Sequence, residues 1–172
     1  MTASSGTLVA VTMALICLPI SLSEAQAASR EERESLKGLQ GVQVVIEDIE
    51  EDPRAQGLSS DRIHTAVERV IRSSGIPLLR KEDQDTTTSR AWFHVQVGTL
   101  KDLSGRYAYM IRVFLQQKVF LEDGPSHSIY ATTWESPIVI GIIRGSNLQQ
   151  LVVTAEEKTK EFATDFLAQN PR

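Results

Sequence analysis

The sequence predicts an α+β fold: a two-layer sandwich of order β-α-β-β-β-β-α, with a mixed five-stranded sheet and two helices on one of its faces. Three observations carry this. Residues 107–121, YAYMIRVFLQQKVFL, form the longest alternating run. They place Tyr107, Tyr109, Ile111, Val113 and Leu115 on one side and Ala108, Met110, Arg112, Phe114 and Gln116 on the other, and a side-chain period of two marks a strand. Strand-like segments bounded by turn residues lie directly before and after it. Two segments with helical spacing lie further out.

The chain has 172 residues, enough for one domain. It is 41% hydrophobic and 23% charged, which excludes wholesale disorder. The net charge of −4 comes with scattered Lys and Arg and no basic stripe, which argues against nucleic-acid binding.

Residues 1–27 read as a signal peptide. Residues 8–22, LVAVTMALICLPISL, are an apolar run interrupted by Pro19, and Ala25 and Ala27 give the A-x-A pattern of a signal peptidase site. Cleavage after Ala27 is expected, although residues 1–7 carry no Lys or Arg. The apolar run is shorter than the roughly 20 residues of a spanning helix, so an uncleaved anchor is the second choice. Ile16 before Cys17 is not the small residue a lipoprotein signal needs. Cleavage removes the only cysteine, leaving a mature chain without thiol or disulfide chemistry and without a transmembrane span. An exported protein, periplasmic or extracellular, is the expectation.

After the signal, residues 28–40 form an exposed lead-in, since SREERESLK shows no apolar face. A single α+β domain over 41–172 comes next. Residues 41–49, GVQVVIEDI, form the first strand, with Val42, Val44 and Ile46 on one face. Residues 50–57 form a loop broken by Pro53. The first helix is capped by Ser59, with Asp61 in its first turn and Leu58 stapled to Ile63. Ile63, Val67, Val70 and Ile71 make its apolar face, and Gly75 followed by Ile76 fits a Schellman ending.

Residues 76–79, IPLL, are a short edge strand, completing a right-handed βαβ-like unit. Residues 80–89 are a polar, mobile connection. A meander comes after it: 91–100, then 107–121, then 128–136, with turns at 101–106 and 122–127. In the first of these strands Phe93, Val95 and Val97 oppose Trp92, His94 and Gln96; in the last, Ile129, Ala131 and Thr133 oppose Tyr130, Thr132 and Trp134. Residues 137–145, PIVIGIIRG, connect to the final helix, which Ser146 or Asn147 caps and which runs to about Gln169. Its stripe is Leu148, Leu151, Val152, Ala155, Phe162, Phe166 and Leu167.

Signals for chemistry are weak. His64, His94 and His127 show no metal-ligand spacing, so no metal or cofactor is assigned. His127 between Ser126 and Ser128 lacks a nucleophile elbow. The carboxylates around Asp52 and Asp83 lack EF-hand spacing and read as solvated loops. The segment 141–146 before the last helix is not a phosphate loop, because it lacks G-K-[ST].

The helix-free sheet face is the better lead. It gathers Trp92, His94, Met110, Arg112, Phe114, Tyr130 and Trp134, residue types enriched in binding surfaces. The competing explanation is that Tyr130 and Trp134 only pair across strands with Phe114 and Met110. The 137–145 loop adds Ile138, Ile140 and Ile142, too apolar for an ordinary surface connection. A core plug, an edge strand and a contact site are its three possible fates.

GVQVVIEDI, GLSSDRIHTAVERVIRSSGI, RYAYMIRVFL and YATTW together resemble an uncharacterised family of exported bacterial α+β proteins. The resemblance covers nearly all of the mature chain and implies export, but brings no catalytic residues. The element order is also similar to auxiliary proteins of envelope transport systems, although the lipobox is missing. The expected function is a non-enzymatic exported protein binding an envelope component, protein or lipid. The alternatives are a small-ligand domain with a pocket between sheet and helices, or a hydrolase.

Overall fold

A computed structural model describes residues 27–80, 91–121 and 127–171. The signal segment up to residue 26, most of the polar 80–89 connection and most of the 122–127 turn lie outside these. The architecture is a mixed five-stranded sheet with helices on one face. The strands are β1 (Gln43–Ile46), β2 (Ala91–Lys101), β3 (Arg106–Phe120), β4 (Ser128–Glu135) and β5 (Val139–Arg144). The helices are α1 (Arg30–Glu34), α2 (Glu51–Ala55), α3 (Ser60–Ser73) and α4 (Gln150–Gln169).

The order β-α-β-β-β-β-α holds, but one strand is not where the sequence places it. Residues 76–79 make only a parallel bridge, Val42 to Leu78. The missing strand comes instead from the expected loop at 137–145, as β5. One strand that prefers an edge for lack of a proline N–H thus shrinks to a bridge. Another is supplied by β3, whose 15 residues outrun β4 and leave a length of edge to be paired.

β1 runs parallel to β2, and β2 antiparallel to β3, with Phe93 opposite Leu115, Val95 opposite Val113 and Val97 opposite Ile111. These six side chains face the helices and are buried. The far edge of β3 is shared. Its C-terminal half pairs with β4 and its N-terminal half with β5, both antiparallel.

That shared edge is interrupted twice. Leu115 pairs with Trp134 but Gln116 pairs with Thr132, so Thr133 is an extra residue, a β-bulge. Between the pairs Phe114–Glu135 and Ile111–Val139, β3 advances three residues while the other chain advances four, which makes Pro137 a second extra residue. Each insertion reverses which face the subsequent side chains take. Tyr130 and Thr132 therefore share the helix-free face with Gln116, while Trp134 turns to the helix side. The sequence reading that put Trp134 on the open face is corrected by this bulge. Trp134 is 1% exposed, packs edge-on to Phe162 at 5.1 Å and donates its indole N–H to Asp165 at 3.0 Å.

α3 begins at Ser59, whose hydroxyl accepts from the Arg62 N–H at 3.3 Å. It ends with Gly75 at φ +71°, the Gly75 N–H on the Arg72 carbonyl at 2.9 Å and the Ile76 N–H on the Ile71 carbonyl at 3.1 Å. This is the Schellman pair expected from the sequence. Its buried face, Ile63, Ala66, Val67, Val70 and Ile71, packs on α4 and β1. In α4 the buried Leu151, Ala155, Phe162 and Phe166 match the predicted stripe. Its start differs: neither Ser146 nor Asn147 caps it, because Gly145–Asn147 form a 3-10 turn that delays the helix to Gln150.

Two further segments depart from expectation. Residues 28–40 are not an exposed lead-in: Ala28, Leu36 and Leu39 are buried. Ser29 and Glu32 form a capping box that starts α1, and α1 packs on α4 and β4. Residues 50–57 hold a short helix with Pro53 in its first turn, a position where a missing N–H costs little.

Candidate functional site

The open face is built by all five strands, with Val45 of β1 beside His94. His94 stands opposite Phe114, which stands opposite Glu135. Gly98, Met110 and Ile140 form a second row, and Leu100, Ala108 and Ile142 a third. Trp92, Gln116 and Thr132 form a row toward the other end.

The centre of the face is a stack. The His94 ring lies parallel to Phe114, centroids 4.8 Å apart and 4° between planes. The Arg112 guanidinium sits 4.3 Å from the Phe114 centroid and donates two hydrogen bonds to the Glu135 carboxylate, at 2.6 and 3.0 Å. This bidentate fork holds the cation over the ring. Burial draws the His94 pKa below its ordinary value, and the Glu47 carboxylate works against that shift. Burial thus favours the neutral imidazole, whose flat face meets the Phe114 ring.

The two ends differ. At one, Trp92 meets Tyr130 edge-to-face at 4.7 Å. At the other, Leu100, Ile140 and Ile142 are 74%, 78% and 68% exposed around Met110. Gly98 shapes this end: Met110 Cγ lies 3.2 Å from where a Cβ would stand, so the absent side chain lets Met110 lie flat. A shallow concavity results, lined by Gly98, Leu100, Ala108 and Met110. Ile138 is also exposed.

Nine of the ten predicted contact residues are thus on or beside one surface; Trp134 alone is withdrawn into the core. The aromatic set and the 137–145 set, separate in the sequence, become continuous because β5 extends the sheet. Leu100 and Glu135 were missed. Leu100 lies within the predicted strand 91–100 and shares its parity with Trp92 and His94, so carrying the alternation to the end of that strand finds it. Glu135 needs the register with β3, which the sequence does not give.

Away from this face, Asp52 is exposed, as a solvated carboxylate is, but it is also engaged. It accepts from the buried Tyr107 hydroxyl and from Lys101 at 3.0 Å. The Tyr107 hydrogen bond, then that of Lys101, lowers the Asp52 pKa, and the same bond raises that of Tyr107. A phenol held in its protonated form is a structural donor rather than a nucleophile. Among the described residues no group of three or more His, Cys, Asp or Glu side chains could hold a metal ion.

No family model and no curated protein matches the chain.

Proposed function

We propose that this is a non-enzymatic exported protein that binds another component of the cell envelope, protein or lipid, through the open face of its sheet. The observation that carries the reading is the aliphatic end of that face. Leu100, Ile140 and Ile142 expose most of their surface around Met110 on a sheet face that no described helix covers, and contiguous exposed apolar surface marks interaction sites. β5 adds to it. It pairs only with β3 among the described strands, and VIGIIR has no Lys, Pro or inward charge before Arg144 to blunt its free edge. Such an edge accepts a strand from a partner by main-chain hydrogen bonds while Ile140 and Ile142 supply the apolar contact. Export rests on the A-x-A segment before Ala28 and on the family resemblance; no helix among the described residues is long and apolar enough to cross a membrane.

The test replaces Ile140 and Ile142 together by Ser. Stability is followed by urea titration, and association by cross-linking in envelope extract and by flotation with envelope-lipid vesicles. The expected outcome is loss of association at a urea midpoint within about 0.5 kcal/mol of the parent, the usual range for exposed positions. Unchanged association with both extract and vesicles would sink the proposal.

A further inference from the structure

A cavity of about 230 Å³ lies between the amino-terminal segment, the β4–β5 junction and α4, lined by Ala27, Ala28, Trp134, Ser136, Glu161 and Asp165 among others. One of its walls is unusual. Ser136 is 2% exposed, and its Oγ is buried without a hydrogen-bond partner among the described residues. A buried hydroxyl normally finds a partner, so an orphan one calls for an explanation. Two carboxylates share the cavity, Glu161 and Asp165. An orphan acceptor beside two anions is an environment for a small cation with several N–H donors.

Ala27 and Ala28 line the same cavity. Ala28 is buried and Ala27 is exposed. Ala28 is anchored by α1: its carbonyl accepts from Arg33 Nη1 at 2.7 Å, and the next N–H, that of Ser29, donates to Glu32 at 2.6 Å. The bond between Ala27 and Ala28 is the one the A-x-A pattern marks for cleavage. Hydrolysis there breaks the C–N bond. Water gives its oxygen to the new Ala27 carboxylate, and the released amine of Ala28 is protonated at neutral pH.

We propose that this cavity is the seat of the processed amino terminus, where the Ala28 α-ammonium donates to Ser136 Oγ and faces Asp165 and Glu161. The proposal rests on the export reading above. In the uncut chain the same nitrogen is a neutral amide with one hydrogen. Cleavage gives it a charge and three donors, matching one hydroxyl and two carboxylates. The charges around it are Glu161, Asp165 and Lys158 from α4, with Lys158 bonded to Glu161 at 2.8 Å, and Arg33 and Glu32 from α1. β4's Glu135 is engaged by Arg112 on the opposite face. Processing thus completes the fold, and the uncut chain is the looser form.

Every residue of the described core lies at or after Ala28, so a chain starting there keeps its core. Three forms are compared: one beginning at Ala28 with a free amine, released from a fusion without extra residues; the same chain acetylated at Ala28; and one retaining residues 25–27. The free-amine form should have the highest urea midpoint. Its amine should react with an amine-selective reagent at pH 7.5 roughly tenfold more slowly than in urea, because the carboxylates raise its pKa above the ordinary value of about 8. Glu161→Gln, which leaves the Trp134–Asp165 bond intact, should recover part of that labelling rate, and Asp165→Asn more. Equal midpoints in all three forms, with labelling at the unfolded rate, would overturn the proposal. Sequencing the exported chain tests the other reading separately. A start elsewhere sinks cleavage at Ala27, whereas a start at Ala28 with a freely reacting amine sinks only the seat.

Discussion

The two faces of this sheet are made by the same strands, and both carry large apolar side chains, yet they are covered differently. On the helix side Phe93, Val95, Ile111, Val113, Leu115 and Trp134 are all buried, and Phe162 wedges against Phe93 and Trp134. On the open side Phe114 is buried, but by its own neighbours: a histidine on one side, an arginine on the other, and no second layer. The first face is apolar because a layer covers it. The second is apolar at its rim with no layer of described residues over it. Apolar composition alone therefore does not separate core from open surface; the deciding factor is whether a second element arrives to cover the strand.

The largest way to break this comparison is at Trp134. Trp134→Ala should destabilise the fold by about 3–5 kcal/mol, as large-to-small aromatic truncations in cores do. Tyr130→Ala, four residues away on the other face, should cost about 1 kcal/mol or less, the worth of one edge-to-face pair. Urea titration of both checks this, and equal losses would mean that the bulge at Thr133 does not separate them. A middling effect is expected at Gly141. The Tyr109 side chain lies across it, with its hydroxyl oxygen 2.8 Å and two ring carbons 2.9 Å from where a Cβ would stand. Gly141→Ala should cost about 1–3 kcal/mol by overpacking, and adding Tyr109→Ala should return part of it. Recovery measured in the double variant ties the loss to that ring.

The smallest effect sharpens the open face alone. The folded His94 pKa lies below its ordinary 6.5, so between the two values the unfolded chain binds more protons. Stability should rise as pH climbs through that window and fall as pH drops toward and below 6.5. His94→Gln should flatten the slope in urea midpoints taken at successive pH values. An unchanged slope would place the titration elsewhere.

Much of the fold is legible in the sequence. The long β3 alternation, the caps and the buried stripe of α3, and the Asp102–Gly105 turn are local signals, and local physics delivers them. In that turn Asp102 accepts from the Ser104 and Arg106 N–H groups, as an Asx turn does. The failures are all non-local. Ser29–Glu32 is a capping box visible in the sequence, but nothing in SREERESLK shows that Leu36 will be buried. That depends on partners far along the chain: Ser35 Oγ donates to the Thr133 carbonyl, and Gln117 joins the Ser35 carbonyl to the Thr133 hydroxyl. β5 resists sequence reasoning because both of its faces are apolar, so alternation gives no answer. Trp134 is misplaced because a bulge leaves no signature when the extra residue is an ordinary threonine.

The paired interruptions of the edge strand act as a length code. One extra residue at Thr133 exchanges inside for outside, and a second at Pro137 exchanges them back, so Tyr130 and Ile140 share a face while Trp134 and Ser136, between them, belong to the other. Relatives that vary in length here should therefore gain or lose residues in compensating pairs. A single insertion or deletion behaves like a frameshift read in space: it leaves the amino acids intact and sends each downstream side chain to the opposite face.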